Sequence, residues 1–203
     1  MFSEPKTRAA QKEATAKAVL DAAREEFERV GYEAANIRAI AARAGVAAGT
    51  VIHHHGDKRE LLHAALFADL DATLRKAIAE RGDGTLEAEL SRITRAVFRY
   101  YKKRPALSRT LLKESLFADP PWAQRFSGQV AMVHGEIAEL AKAAIARKEL
   151  RADVDPALLG VVYFSFFYFA LIAWVQGGHE RPVELVEHLL QQHLAGLRPR
   201  RSR

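Results

Sequence analysis

Apolar residues recur every three or four positions through most of the 203-residue chain. This spacing gathers them on one face of an α-helix, and no stretch shows the alternation typical of a half-buried strand. Pro, Gly, Asn and Asp interrupt the pattern at positions that suit helix ends. We therefore predict an all-α protein of about nine helices. They cover about residues 11–30, 36–44, 48–54, 58–80, 86–103 and 105–118, followed by one after Pro120-Pro121, one between Pro156 and Gly177, and one after Pro182.

The second and third predicted helices are joined by a short turn at Gly45. The small side chain of Ala41 lets the two helices cross closely, Gly45 permits a positive φ, and Val46 fills the space between them. The third helix, from Ala48 to about His54, is then exposed and begins with small residues. Such a helix suits insertion into the major groove of DNA. The arrangement predicts a helix-turn-helix.

The residues around this element resemble a known family. The stretch "VLDAAREEFERVGYEAANIRAIAARAGVAAGTVIHHHGDKRELLHAAL" follows, without a gap, the spacing of the N-terminal domain of TetR-family bacterial transcriptional repressors. The matching features include the A-A-x-x-x-F of the first helix, Ala44-Gly45-Val46, Gly49-Thr50, and Lys58 followed by Leu61-Leu62. The resemblance implies an N-terminal arm and DNA-binding domain over residues 1–57. A helical effector-binding and dimerisation domain would cover residues 58–203.

The resemblance also implies which residues contact DNA. Arg38 would bind guanine or phosphate, since a guanidinium can donate hydrogen bonds to either group. Thr50 and His53 would face the groove, and His54 would touch the DNA backbone. Lys58 would approach a phosphate at the start of the fourth helix, where the helix dipole favours an anion. The predicted DNA-binding residues are Asn36, Arg38, Ala48, Gly49, Thr50, His53, His54 and Lys58.

Three positions depart from the family pattern. Ala47 stands where the family usually has Ser or Thr, so the third helix loses a side-chain cap. Ile52 replaces a tyrosine that meets phosphate, and His55 replaces a core phenylalanine. We predict weaker or narrower direct readout of bases, carried mainly by Arg38 and His53. The alternative is a helical ligand-sensing or protein-interaction module with a weakened DNA-binding head.

The three consecutive histidines do not predict a metal site. Successive helical residues point about 100° apart, so their rings cannot converge on one ion. The chain has no cysteine, which excludes disulfides and thiolate metal sites. No glycine-rich phosphate loop after a strand, H-E-x-x-H or nucleophile elbow is present. We expect neither a catalytic site nor a cofactor.

The net charge of +6 does not by itself indicate a DNA-binding face. Residues 1–60 carry 10 Lys/Arg against 9 Asp/Glu, and residues 61–197 carry 17 against 16. The arginine-rich tail that begins at Arg198 accounts for the rest. The argument for DNA binding therefore rests on where individual charges lie.

The segment from Ala157 to Trp174 contains no charged residue over eighteen positions. Its length is at the lower limit for a membrane span. A helix that is apolar on all sides can also be buried between its own domain and a partner subunit. The ninth helix is striped with leucines, so we predict that helices eight and nine form a homodimer interface and not a membrane anchor.

Aromatic residues are frequent in the C-terminal part and have two interpretations. Each one can be a core residue, or some can border an apolar cavity between helices, where bundles bind small ligands. The predicted ligand-binding residues are Phe98, Tyr101, Phe126, His134, Phe164 and Tyr168.

These observations together predict a homodimeric repressor that leaves a palindromic operator when a small hydrophobic or aromatic ligand binds. The N-terminus lacks an apolar signal segment, so we expect a cytoplasmic protein.

Overall fold

The computed structural model describes residues 8–80, 82 and 84–199. This part of the chain is built from α-helices and contains no strand, which confirms the predicted all-α class. The helices are Arg8–Ala34 (α1), Ile37–Ala44 (α2), Ala48–His55 (α3), Lys58–Ala79 (α4), Leu86–Lys103 (α5), Pro105–Leu116 (α6), Trp122–Ala146 (α7), Pro156–Val175 (α8) and Pro182–Leu197 (α9). The predicted N-terminal arm falls largely on residues 1–7, and most of the arginine tail on residues 200–203, both outside the described residues.

Side-chain caps fix where three of these helices begin. Asn36 accepts a hydrogen bond from the Ala39 N–H at 2.9 Å at the start of α2. Asp57 accepts one from the Glu60 N–H at 2.8 Å at the start of α4. Asp155 accepts two from the first turn of α8. Each cap satisfies backbone donors that have no partner inside the helix. The helix starts predicted from these polar residues are therefore confirmed.

Residues 8–69 and 104–113 form one compact unit. Its core is apolar and draws on α1 to α4 and on α6, as the predicted stripes require. The buried residues include Phe27, Ile40, Val51, Leu61, Leu62 and Leu107.

Polar contacts join α1 to α4 and α6 inside this unit. The buried guanidinium of Arg24 donates to the carbonyl oxygen of Ala65 at 2.9 Å and pairs with Asp21 at 2.5 Å. Glu28 accepts a hydrogen bond from the N–H of Leu107 at 2.9 Å. A carboxylate of α1 thus serves as the N-terminal cap of α6, which begins with Pro105 and has no capping side chain of its own.

Residues 70–103 and 114–199 form the second compact unit, in which α5, α7, α8 and α9 pack around an aromatic core. α7 and α8 approach so closely that a Cβ at Gly160 would lie 2.6 Å from the carbonyl oxygen of His134. Only glycine allows this approach. The two units divide α4 after Asp69, and the domain boundary at residues 57 and 58 stays a prediction.

α8 buries one face and exposes the other. Leu158, Val161 and Phe169 are among the large apolar side chains that lie on the exposed face. By length and composition, α8 is the one helix in the described ranges that could cross a membrane. Core helices of soluble proteins pass the same test, so length and composition do not decide between a membrane and a subunit partner.

Candidate nucleic-acid interface and ligand cavity

The turn between α2 and α3 has the geometry of a Schellman motif. Gly45 adopts a left-handed conformation with φ 70° and ψ 30°. Its N–H bonds to the carbonyl oxygen of Ala42 at 3.2 Å, and the N–H of Val46 bonds to that of Ala41 at 3.0 Å. These bonds satisfy the last carbonyls of α2 and reverse the chain within three residues. The helix-turn-helix predicted from the sequence is therefore formed.

The start of α3 is held by the backbone alone. Ala47 is the N-cap residue and provides no side-chain hydrogen bond. The N–H of Thr50 bonds to the carbonyl oxygen of Ala47 at 3.0 Å. At the other end, the N–H of Gly56 bonds to the carbonyl oxygen of Ile52 at 2.8 Å. The loss of a capping side chain, expected from Ala47, is thus present in the structure.

The outward face of α3 carries two of the eight predicted contacts, Gly49 and His53. Gly49, Ile52 and His53 are exposed on this face, and Val51 is buried on the opposite side. The rings of His53 and His54 meet edge to face, with centroids 5.2 Å apart. Of the remaining predicted DNA-binding residues, Asn36, Arg38 and His54 are exposed, and Ala48, Thr50 and Lys58 are half-buried.

The two arginines of α2 differ in their surroundings. Arg43 forms ion pairs with Glu25 at 3.3 Å and with Glu26 at 3.6 Å. Arg38 is exposed, and within the residues described it makes no hydrogen bond or ion pair. An exposed, unpaired guanidinium keeps all of its donors for an external acceptor such as guanine or phosphate.

Lys58 contacts the end of α1. Its ammonium donates to the carbonyl oxygens of Tyr32 at 2.9 Å and Glu33 at 3.0 Å, and lies 4.6 Å from the centroid of the Tyr32 ring. An ammonium has three N–H donors, so one remains beyond these two bonds. Lys58 therefore fixes α4 against α1, a role that its sequence position did not reveal.

Ile52 is a surface feature to which the sequence assigned no DNA contact. Its side chain is 53% exposed, three residues after Gly49 on the outward face of α3. The helical spacing of the two residues was the available signal. An apolar side chain at this place can touch a thymine methyl group.

His55 lies at the end of α3 with its ring half-buried. Its Nε2 atom is buried without a hydrogen-bond partner. Burial, and after it the charge of His54, lowers the pKa of His55. The lowered pKa favours the neutral ring at a position where the sequence analysis placed His55 in exchange for a core phenylalanine.

An apolar cavity lies inside the second unit, between the end of α4 and helices α5, α7 and α8. Its free volume is about 50 Å³, so a ligand larger than a few water molecules must displace side chains. Of the predicted ligand-binding residues, Tyr101, Phe126, Phe164 and Tyr168 line it. Phe98 and His134 lie just behind the wall, where they pack against Phe167 and Phe164, with ring centroids 4.8 Å and 5.4 Å apart.

The polar groups of the cavity are few. Tyr163 shares a hydrogen bond of 3.0 Å with Thr94, which also donates to the carbonyl oxygen of Leu90. Gln129 and Tyr168, in contrast, carry buried polar atoms that have no partner within the described residues. Gln129 is a lining residue that the sequence analysis missed. It lies on the buried stripe of α7, four residues before Val133, and this register was the available signal.

One comparison with known protein families concerns the first four helices. A family model described as bacterial regulatory proteins, tetR family, matches residues 19–65. Over this stretch the chain is similar to TetR-family regulators. The matched residues include the whole helix-turn-helix and every predicted DNA-binding residue from Asn36 to Lys58.

Curated transcriptional repressors match part of the chain. The chain is 35% identical over 113 residues to the HTH-type transcriptional repressor KstR of Rhodococcus jostii, an alignment that covers 54% of this chain and 51% of the relative. The chain thus spans about half the length of the curated relatives it matches. Both of these relatives are HTH-type transcriptional repressors.

Solved structures share the fold over nearly the whole chain. FadR of Bacillus subtilis, in complex with stearoyl-CoA, superposes with a TM-score of 0.72 at 19% identity and covers 89% of this chain and 98% of its own. A regulator from Saccharomonospora viridis, in complex with choline, gives a TM-score of 0.73 at 18% identity, covering 94% and 100%. The fold of this chain is therefore shared by solved proteins in complex with stearoyl-CoA and with choline.

Proposed function

We propose that the protein is a transcriptional repressor that binds a palindromic operator as a homodimer and leaves it when a small hydrophobic ligand binds. The observation that carries this proposal is a helix-turn-helix whose third helix exposes one face and whose second helix carries an exposed Arg38 that has no partner among the described residues. A repressor must reach chromosomal DNA, and we therefore infer that the protein is cytoplasmic.

On this proposal α3 lies in the major groove. The bare backbone at Gly49 allows close approach to the bases, and Ile52 and Thr50 supply contacts to methyl groups and polar edges. Arg38 and His53 read bases, and His54 touches the DNA backbone. The remaining donor of Lys58 reaches a phosphate. Because few polar side chains contact the bases, much of the affinity comes from contacts to the DNA phosphate backbone. The affinity therefore depends strongly on salt.

The homodimer interface is the exposed apolar face of α8 together with α9. Leu158, Val161 and Phe169 of α8 are exposed in the single chain, and Leu185 and Leu189 of α9 are half-buried. A second copy would remove this apolar surface from water. Twofold symmetry would then present two α3 helices to successive major grooves, about 34–36 Å apart.

The ligand would act through α4. This helix begins with Lys58, beside α3 in the chain, and reaches the cavity through Leu70 and Leu74. A ligand that displaces Leu70 and Leu74 would favour the form of the dimer that cannot span the operator. Reversing a 99:1 population requires about 5.5 kcal/mol of differential affinity, so selectivity between the two forms matters more than tight binding alone.

A second candidate function is a ligand-sensing or protein-interaction module whose DNA-binding head is weakened. Two observations favour this candidate. Ala47 gives α3 no side-chain cap, and the ammonium of Lys58 donates a hydrogen bond to a carbonyl of α1. The two candidates differ in one measurable property, which is sequence-specific binding to duplex DNA.

The test compares two variants on a duplex selected from a random-sequence library. Arg38→Ala removes the unpaired guanidinium and should weaken specific binding by about 1–3 kcal/mol, or roughly 5- to 150-fold. Lys142→Ala is the matched control, because it removes one positive charge from an exposed pair on α7 in the other unit. Equal affinities for the two variants in a gel-shift titration would contradict the assignment of Arg38. Failure to select any duplex at low salt would favour the second candidate.

A further inference from the structure

Among the described residues, the cavity in the second unit is lined by apolar and aromatic side chains and by Gln129, and by no charged side chain. Six of its lining residues are aromatic, and the rings of Phe164 and Tyr168 lie nearly parallel, with centroids 5.3 Å apart. Aromatic walls favour a flat ring that can lie offset from one of them and edge-on to another. A carboxylate or phosphate in this cavity would be a buried charge without a partner, which is strongly unfavourable.

Two polar atoms in the wall have no partner. The Nε2 atom of Gln129 and the hydroxyl of Tyr168 are buried without a hydrogen bond, and Gln129 is only 6% exposed. Native proteins satisfy nearly all buried donors, so an unsatisfied pair in one cavity needs an explanation. An amide nitrogen can only donate, and burial raises the pKa of Tyr168, so its hydroxyl also remains protonated and able to donate.

We propose that the cavity binds an uncharged aromatic ligand carrying a carbonyl-type oxygen, which accepts a hydrogen bond from Gln129 and lies beside Tyr168. The proposal rests on the proposed function, since it assumes that this cavity is the ligand site. It adds the chemistry of the ligand: a neutral ring for the aromatic walls and one strong acceptor for the unsatisfied donors. An alkyl chain without an acceptor would leave Gln129 unpaired, and an ionised acid would bring an unpaired charge.

Three one-ring probes of similar shape separate these chemistries. Acetophenone has a neutral acceptor, ethylbenzene has none, and benzoate carries a charge. Isothermal titration of the full chain, without DNA, should show acetophenone binding about tenfold more tightly than ethylbenzene, and no benzoate binding at the same concentrations. Equal affinities for acetophenone and ethylbenzene, tightest binding of benzoate, or no binding by any probe at millimolar concentration would overturn the proposal.

Two variants identify the donor. Gln129→Leu keeps the approximate size of the side chain and removes the amide, so the preference for acetophenone over ethylbenzene should fall to about one. Gln124→Leu is the matched control, because it makes the same change at an exposed position of α7 that does not line the cavity, and the preference should remain. Gln129→Leu removes a buried polar atom that has no partner among the described residues, so its melting temperature should be higher than that of the natural protein. A cooperative melting transition would also show that the variant folds. An unchanged preference in Gln129→Leu would overturn the assignment of the donor.

The outcome is separable from that of the proposed function, because the titration contains no DNA. If acetophenone binds as expected but operator affinity is unaffected, the ligand chemistry stands and the induction mechanism fails. If operator binding is specific but acetophenone binds no more tightly than ethylbenzene, the proposed ligand chemistry fails and the proposed DNA-binding function stands.

Discussion

The close approach of α7 and α8 at Gly160 provides a sharp test of the second unit. An added Cβ would lie 2.6 Å from the carbonyl oxygen of His134, 3.1 Å from its Cα and 3.2 Å from its carbonyl carbon. Because the obstacle is backbone, no change of rotamer can relieve it. Gly160→Ala must therefore move the two helices apart by several tenths of an ångström.

The expected cost follows from two opposing effects. Overpacking a tight helix contact costs about 1–3 kcal/mol. Replacing glycine by alanine inside a helix stabilises that helix by up to about 1 kcal/mol. We expect a net loss of about 1–2 kcal/mol in the free energy of unfolding. For a chain of this length, that lowers the melting temperature by about 2–8 °C.

The matched control is Gly135→Ala in α7, where an added Cβ meets nothing within 4 Å among the described residues. This variant should be as stable as the natural protein or slightly more stable. Thermal and urea unfolding followed by circular dichroism measure both. Because α7 and α8 both line the cavity, Gly160→Ala should also change probe affinity, whereas Gly135→Ala should not. A Gly160→Ala variant as stable as the control would refute the close approach and with it the geometry of the cavity.

Three further predictions concern the first unit. Gly49→Ala should fold normally, since an added Cβ there meets nothing within 4 Å, yet bind the selected duplex at least about tenfold more weakly, because the methyl group enters the approach to the bases. Unchanged affinity in a gel-shift titration would count against placing α3 in the groove. Glu28→Ala removes the cap of α6 and should lower the free energy of unfolding by about 1 kcal/mol, whereas Glu28→Gln keeps an acceptor and should lose less; equal losses in urea would contradict the cap. His55→Phe removes a buried nitrogen without a partner and should raise the free energy of unfolding by about 1–2 kcal/mol at pH 7.5. Because the folded state lowers the pKa of His55 and the unfolded chain takes up a proton near pH 6.5, the natural protein loses stability as pH falls below that value, and the variant's advantage should be larger at pH 5.5; a smaller one would be inconsistent with this account.

Much of the fold could be predicted because its signals are local. A capping side chain such as Asn36 or Asp57 acts on the turn that follows it, and Gly45 closes a turn made of its own neighbours. The helix-turn-helix needs only these residues and a small contact at Ala41. The same locality explains why the family resemblance is strongest over this stretch.

Features that depend on distant partners could not be predicted. Glu28 caps a helix that begins 77 residues later, and Lys58 bonds to carbonyls at the end of another helix. The sequence alone does not distinguish Gly160 from other helical glycines, because its close neighbour, the backbone of His134 in α7, is distant in the chain. Gln129 is intermediate: its register placed it on the buried face, but only the packed structure leaves its amide without a partner.

The central claim is that the outward face of α3, with Arg38, reads duplex DNA. The most direct measurement is the dissociation constant for the selected palindrome and for a scrambled duplex of equal composition, between about 50 and 200 mM salt. We predict that the palindrome binds more tightly at every salt concentration, and that both affinities fall along straight lines of log affinity against log salt. Equal affinity for the two duplexes throughout this range would contradict the claim.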